Sequence, residues 1–205
     1  MRCTLLFSDS YKTISSEVQA EFKDKGSRFI AFAYPVTSEL EAKDKINQLK
    51  KEHPSANHHC WALVLGNDRE FQKSSDDREP NNTAGKPILR AIIGRDLSFV
   101  LVVVVRYFGG KLLGVPGLIH AYGTAAQEAI SVANIIEKDI TEKYLVPCGY
   151  EQHPDLYRLL KNSVINLQAT DMDVLEQGLI FEVSKQKSEP LIKKLKEARF
   201  NIKSI

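Results

Sequence analysis

The hydrophobic pattern is densest at residues 99–105, FVLVVVV, which are apolar at every position. A short run of that kind predicts a strand covered on both faces. It ends abruptly in Arg106. A glycine-rich stretch follows, with Gly109, Gly110, Gly114 and Gly117, and a helical period opens near Pro116. Leu118, Ala121, Ala125, Ala129 and Val132 give that helix, residues 116–135, a buried stripe of small residues suited to close packing on a sheet.

Upstream, residues 14–22 partly alternate apolar and polar and predict a strand. Lys25, Gly26 and Ser27 make a turn into a second strand over 28–36, so the pair reads as a hairpin. Ser38 opens a helix and Glu41, three residues on, completes a capping box. Ala42, Ile46 and Leu49 share its buried face, and Pro54 lies beyond its end. Residues 59–65 predict a third strand. The next segment, 66–82, is almost wholly polar and is expected to be a mobile loop. Thr83 and Gly85 close it, and a short helix runs through Leu89, Ile92 and Ile93 to Gly94.

Residues 137–143, EKDITEK, lose the apolar period. A boundary there divides the chain into residues 1–138 and 139–205. The second part reads as strand (144–150), helix (154–164), strand (165–174), a turn at Gln177 and Gly178, strand (179–184), helix (189–199) and a last short strand. That order, βαββαβ, is the ferredoxin-like one. His153 and Ser188 sit at N-cap positions before Pro154 and Pro190.

Composition narrows the classes. Of 205 residues, 43% are apolar and 26% charged, as in ordinary globular chains. No apolar run is long enough to span a bilayer, and the first residues lack the apolar core of a secretory signal, so a cytoplasmic protein with no membrane partner is expected. Cys3, Cys60 and Cys148 are too far apart for a CxxC zinc site. The net charge is +2, yet basic residues cluster at 85–125 and again at 185–203, which points to an acidic partner. The second cluster is also compatible with the solvated face of a terminal helix.

Strand, glycine loop and helix start together favour an anion, because loop and helix N–H groups and the helix dipole converge there. Arg106 and Lys111 add charge. A plain tight turn explains the same glycines. His58 and His59 are adjacent on a strand and point to opposite faces, so they cannot chelate one ion together. Asp76, Asp77 and Glu79 lie within four residues and suit a divalent cation or a general base, or simple loop solvation. No HExxH, GxSxG or Walker spacing occurs.

Four segments in order, KGSRFIAFAYPV, HPSANHHCWAL, SDDREPNNTAGKPIL and VVVVRYFGGKLLGVPGLIHAY, resemble the IMPACT/YigZ family, densely over residues 14–136. The whole chain resembles its bacterial two-domain members. The resemblance implies an α+β protein. Its N-terminal domain would be ribosomal-protein-S5-domain-2-like, with a left-handed βαβ crossover against the usual hand. Its ferredoxin-like C-terminal domain would resemble the last domain of elongation factor G. Relatives of the first fold include nucleic-acid-binding translation factors, and eukaryotic members of the family regulate translation through protein contacts. The sequence departs from the family pattern at Arg78, where glycine is usual, and at Asn81-Asn82. It departs again at Pro116, which removes an N–H donor, and at His120, where arginine is common.

The expected function is therefore non-enzymatic binding of RNA, the ribosome or a translation factor, in particular as a translation regulator. The expected anion- or nucleic-acid-binding residues are His58, His59, Asp76, Asp77, Glu79, Thr83, Gly85, Lys86, Arg106, Gly109, Gly110, Lys111, Gly114 and Gly117. Lys193, Lys194 and Lys196 would add a contact from the second domain. No catalytic residue, cofactor or metal is expected. Two other classes stand beside this one. One is a protein-interaction adaptor. The other is a metal-assisted hydrolase or phosphoryl-transfer enzyme built on Asp76, Asp77 and Glu79. The oligomeric state is left open.

Overall fold

The computed structural model describes residues 9–170 and 177–205. Tyr11–Lys138 forms one compact unit, and Asp139–Ile205 falls in the other. Both mix helices with antiparallel sheet.

In the first unit, β1 is Ser10–Ile14, β2 Val18–Asp24 and β3 Ser27–Pro35; α1 is Glu39–Glu52. Next come β4 (His58–Leu65), β5 (Phe71–Ser75), α2 (Gly85–Ile93), β6 (Val100–Tyr107), α3 (Gly114–Val132) and β7 (Ile135–Asp139). The main sheet has the order β2-β3-β6-β4-β5. β6 pairs antiparallel with both β3 and β4, so these two run parallel on either side of it, joined through α1.

The apolar run sits at the centre of this sheet. Val100, Val102 and Val104 pack into the core beneath α2 and α3. Leu101, Val103 and Val105 pack with Ala42, Ile46 and Leu49 of α1. Every residue from Val100 to Val105 is fully buried, which is why polar positions are missing from the strand. Each CH₂ withdrawn from water here contributes about 0.8 kcal/mol.

The ends of the helices show what starts them. At α1 the Ser38 hydroxyl accepts from the Glu41 N–H at 3.2 Å. Glu41 returns the favour one residue early, accepting from the Thr37 N–H at 2.8 Å. The long helix begins at Gly114 and not at Pro116. Pro116 then falls in the first turn, where a missing N–H leaves no bond unmade.

Other sequence expectations change. The polar segment 66–82 is not one loop, since β5 occupies its centre and pairs with Trp61 to Leu65 of β4. An edge strand is free to be polar, and Lys73 there carries charge that discourages further pairing. The charged stretch at 137–143, where the sequence loses its apolar period, lies almost wholly in strands. β7 pairs with β1, and β8 begins at Thr141. Exposed strands of a small ribbon accept charged residues without an apolar period.

The second unit contains β8 (Thr141–Pro147), α4 (His153–Leu160), β9 (Asn166–Ala169), β10 (Gly178–Ser184), α5 (Lys185–Glu197) and β11 (Lys203–Ser204). Its sheet has the order β11-β8-β10-β9, with antiparallel neighbours throughout. Leu156 and Leu160 of α4, Leu179, Phe181 and Val183 of β10, and Leu191 and Leu195 of α5 fill its core.

Here both N-cap expectations fail. Ser188 does not cap α5, which begins three residues earlier after Ser184. Ser188 is buried one turn inside, its hydroxyl donating to the Lys185 carbonyl at 3.1 Å. Pro190 lies within the helix and deprives the Gln186 carbonyl of a partner. Gln152, not His153, is the N-cap residue of α4. The strand expected over 165–174 is β9 up to Ala169, and its positions 171–174 lie outside the described residues. No helix among the described residues is long and apolar enough to cross a membrane.

Candidate functional site

Strand register assembles the site. Arg106 stands opposite Phe29 of β3 and His58 of β4. It continues the row Val100, Val102, Val104, so its side chain points toward the α2 and α3 face. A guanidinium in that position requires a counter-charge, because an isolated buried cation is prohibitively costly.

Glu79 supplies it. Its Oε1 pairs with Nη1 of Arg106, and both side chains are almost wholly buried. The Tyr122 hydroxyl, from α3, donates to the same oxygen at 2.8 Å. His58 Nε2 lies 3.6 Å from it. The Arg106 guanidinium also lies between the rings of Phe29 and Phe108, with its carbon 5.5 and 5.6 Å from the centroids. Its Nε is buried without a hydrogen-bond partner. Arg106, expected from the sequence as an anion contact, is thus already paired inside the protein.

His58 is held from the other side, with Nδ1 2.9 Å from the Asp77 carbonyl. A carbonyl only accepts, so Nδ1 carries a proton, and Nε2 is the ring nitrogen nearer Glu79. His59 faces the other way, toward α1, as alternation requires. Its backbone N–H donates to Asp77 Oδ2 at 2.7 Å, and its Nε2 is buried and unpartnered. Burial pushes the His59 imidazole below its ordinary pKa, and the Asp77 carboxylate opposes that shift.

Asp76 performs a different task. Its Oδ1 accepts from the N–H groups of Ala84 at 3.0 Å and Gly85 at 2.8 Å, and its Oδ2 from that of Asn82 at 2.8 Å. Ala84, the N-cap of α2, has no side-chain cap of its own. Asp76 therefore caps α2 from eight residues upstream. Gly85 is required by the close approach of β5, since a Cβ there would lie 2.9 Å from the Ser75 nitrogen. Buried Thr83 donates to the Pro80 carbonyl at 2.7 Å. The three carboxylates thus serve three separate places. Among the described residues no group of three or more His, Cys, Asp or Glu is arranged to hold a metal ion.

The turn that delivers Glu79 is strained. Asp77 has φ 39° and Arg78 has φ 72°, a region where a residue with a Cβ costs about 1–2 kcal/mol. Arg78 is exposed, and its nearest contacts, the Asn57 carbonyl at 3.5 Å and Asp77 at 3.9 Å, are weak. Arg78→Gly is expected to leave the fold intact and raise stability by up to about 1 kcal/mol, because the relieved strain exceeds the added chain entropy. Urea denaturation checks this; a loss of stability on substitution would contradict it.

The glycine loop is less open than its composition suggests. The Phe108 N–H donates to Asn57 Oδ1 at 2.8 Å, and the Gly109 N–H to Ser27 Oγ at 3.2 Å. Gly109 packs so tightly on Gly26 that a Cβ would overlap the Gly26 carbonyl. Gly110 and Gly114 take φ of 82° and 71°. Gly117 lies in the first turns of α3, and Lys111 is exposed. Lys86 lines a separate cleft with Gln72, Asn82 and Arg90. Lys193, Lys194 and Lys196 are exposed on α5 in the other unit.

What remains open is a cleft of about 440 Å³ whose floor is His58, Glu79 and Arg106. Phe108, Leu112, Val115 and Leu118 form its walls. Leu112 is 86% exposed and Val115 52%. Sequence reasoning did not single out Tyr122, Asn57 or the apolar rim. The signal that could have found the ion pair is an arginine closing an apolar strand, since such a residue needs an acid once buried.

A sequence model of the Impact N-terminal domain matches residues 25–130, and the chain belongs to the IMPACT family. It is 36% identical to an IMPACT family member of Haemophilus influenzae over 198 residues, 91% of either chain. It is 40% identical to IMPACT family member YvyE of Bacillus subtilis over 131 residues, 64% of this chain. That match spans 60% of the Bacillus protein's length. It is 38% identical to IMPACT family member YigZ of Escherichia coli over 138 residues, 66% of this chain and 68% of that one. A crystal structure of a hypothetical protein superposes with a TM-score of 0.77 at 30% identity, covering 97% of this chain and 98% of that one.

Proposed function

We propose that the chain is a non-enzymatic, cytoplasmic binding protein of the translation apparatus, engaging the ribosome, its RNA or a translation factor. The observation that carries this reading is the commitment of the acidic segment. Asp76 caps α2, Asp77 holds β4 and Glu79 neutralises Arg106. Groups locked in this way support a scaffold for binding better than a metal-assisted reaction. Membership of the IMPACT family accords with a role in translational regulation.

We further infer an S5-domain-2-like topology for residues 11–138, with a left-handed crossover through α1, and a ferredoxin-like one for 139–205. The strand order β11-β8-β10-β9 supports the latter. Phosphate contacts would come from Lys193, Lys194 and Lys196, and from Lys111 and Lys86.

Co-sedimentation of the full chain with ribosomes tests this. Binding is expected, and the three α5 contacts alone would weaken it roughly twentyfold to fortyfold between about 50 and 200 mM salt. Changing Lys193, Lys194 and Lys196 together to glutamine should abolish most of that salt dependence. Absence of any ribosome, RNA or translation-factor binding would sink the proposal. The exposed Leu112 and Val115 favour a second reading, a protein-interaction adaptor. In that case binding survives nuclease and is lost in Leu112→Asp.

A further inference from the structure

A second cavity lies on the opposite face of the main sheet. It measures about 280 Å³ and is bounded by the start of β2, by Phe32 and Tyr34 of β3, and by Gln48 and Glu52 of α1. Glu17, just before β2, closes its rim. Phe32 and Tyr34 are two residues apart on one strand and so share a face. Their rings lie nearly parallel, 8° apart, with centroids separated by 6.4 Å. The cavity therefore has an aromatic floor and a carboxylate on either side.

We propose that this cavity receives the guanidinium of an arginine, presented by a basic segment of a partner protein. Aromatic faces attract cations, and the attraction grows where water is displaced. The site already draws in a cation from within the chain. Lys45 places its ammonium 4.9 Å from the Tyr34 centroid and 3.4 Å from Glu17 Oε2. One ammonium against two carboxylates leaves the rim one charge short of neutrality, and among the described residues Glu52 accepts from the Gln48 amide alone, at 2.8 Å.

Tyr34 supplies an independent pointer. It is more than nine-tenths buried and lines the cavity. Burial raises its pKa to about 12, and Glu17 and Glu52 both push in the same direction. The phenol is therefore a neutral donor and acceptor within the field of both acids. A planar guanidinium fits these features better than a second ammonium does. It can lie flat over the paired rings and direct its fork of N–H groups to a carboxylate.

The test uses the full chain and a blocked Gly-Arg-Gly-Arg-Gly peptide, with its lysine counterpart as comparison. Aromatic NMR resonances of Phe32 and Tyr34 are followed. The arginine peptide is expected to shift both rings saturably and to bind at least about tenfold tighter than the lysine peptide. Glu17→Gln with Glu52→Gln should weaken it tenfold or more. Both carboxylates are exposed, so that variant keeps the fold. Leu112→Asp, on the other face, should leave it unchanged. Equal affinity for the lysine peptide would overturn the assignment to arginine. So would unaltered binding in the double glutamine variant, or no shift at about 10 mM peptide.

Discussion

Glu79→Ala is expected to lower the unfolding free energy by about 3–5 kcal/mol, the cost of leaving a buried charge without its partner. The backbone of Arg106 is held between β3 and β4, opposite Phe29 and His58, and the residue is 5% exposed at the cleft floor. Its Nε already lacks a partner. With Glu79 gone, the whole guanidinium would have only the faces of Phe29 and Phe108 for compensation. A loss of that size is a large share of the roughly 5–15 kcal/mol that holds a typical domain together. The single tryptophan, Trp61, sits in β4 on the opposite face of the same sheet, so its fluorescence during urea unfolding reports on the affected sheet.

The double variant Glu79→Leu, Arg106→Met separates pairing from packing. It removes both charges and keeps side chains of useful volume. At least half of the single-variant loss should return, because apolar replacement of a buried ion pair is often neutral or better. A deficit of about 1–3 kcal/mol should persist, since the Tyr122 hydroxyl then has no acceptor. A single-variant loss below about 1 kcal/mol would mean that water entering the cleft solvates Arg106 once Glu79 is gone.

The same ion pair explains why the site was only partly legible in the sequence. The unbroken apolar run predicted a strand covered on both faces, and Val100 to Val105 are buried on both. Ser38 and Glu41 carried a local signal of fixed spacing, and α1 begins there. The pairing of Glu79 with Arg106 has no such spacing. It depends on β4 and β6 lying side by side and on a turn at Asp77 and Arg78 with positive φ. The glycine loop misled in the other direction. Its composition suggested free N–H groups, whereas Asn57 and Ser27 from distant segments accept two of them. Likewise β5 lacks the apolar residues of a covered strand because it is an edge, and α5 starts before its proline because Leu191 and Leu195 set its phase.

Asp76→Ala should have the next largest effect, a loss of about 2–4 kcal/mol. Three backbone N–H groups, of Asn82, Ala84 and Gly85, converge on one carboxylate. Hydrogen bonds to a charged group contribute about 1.5–3 kcal/mol each, less what water restores at this half-exposed position. The spacing of eight or nine residues lies outside any helix-capping pattern, so the sequence offered solvation or metal binding as explanations for this acid. Asp76→Asn discriminates between a cap and a mere charge. Its amide oxygen can still serve Ala84 and Gly85, while its NH₂ group opposes the N–H of Asn82. About half of the alanine loss is therefore expected. Amide exchange supplies the second readout. In Asp76→Ala, exchange at Asn82, Ala84 and Gly85 should accelerate far more than exchange in β6, because the start of α2 opens locally before the sheet does. If exchange rose equally across both, Asp76 would be contributing to overall stability without anchoring this turn.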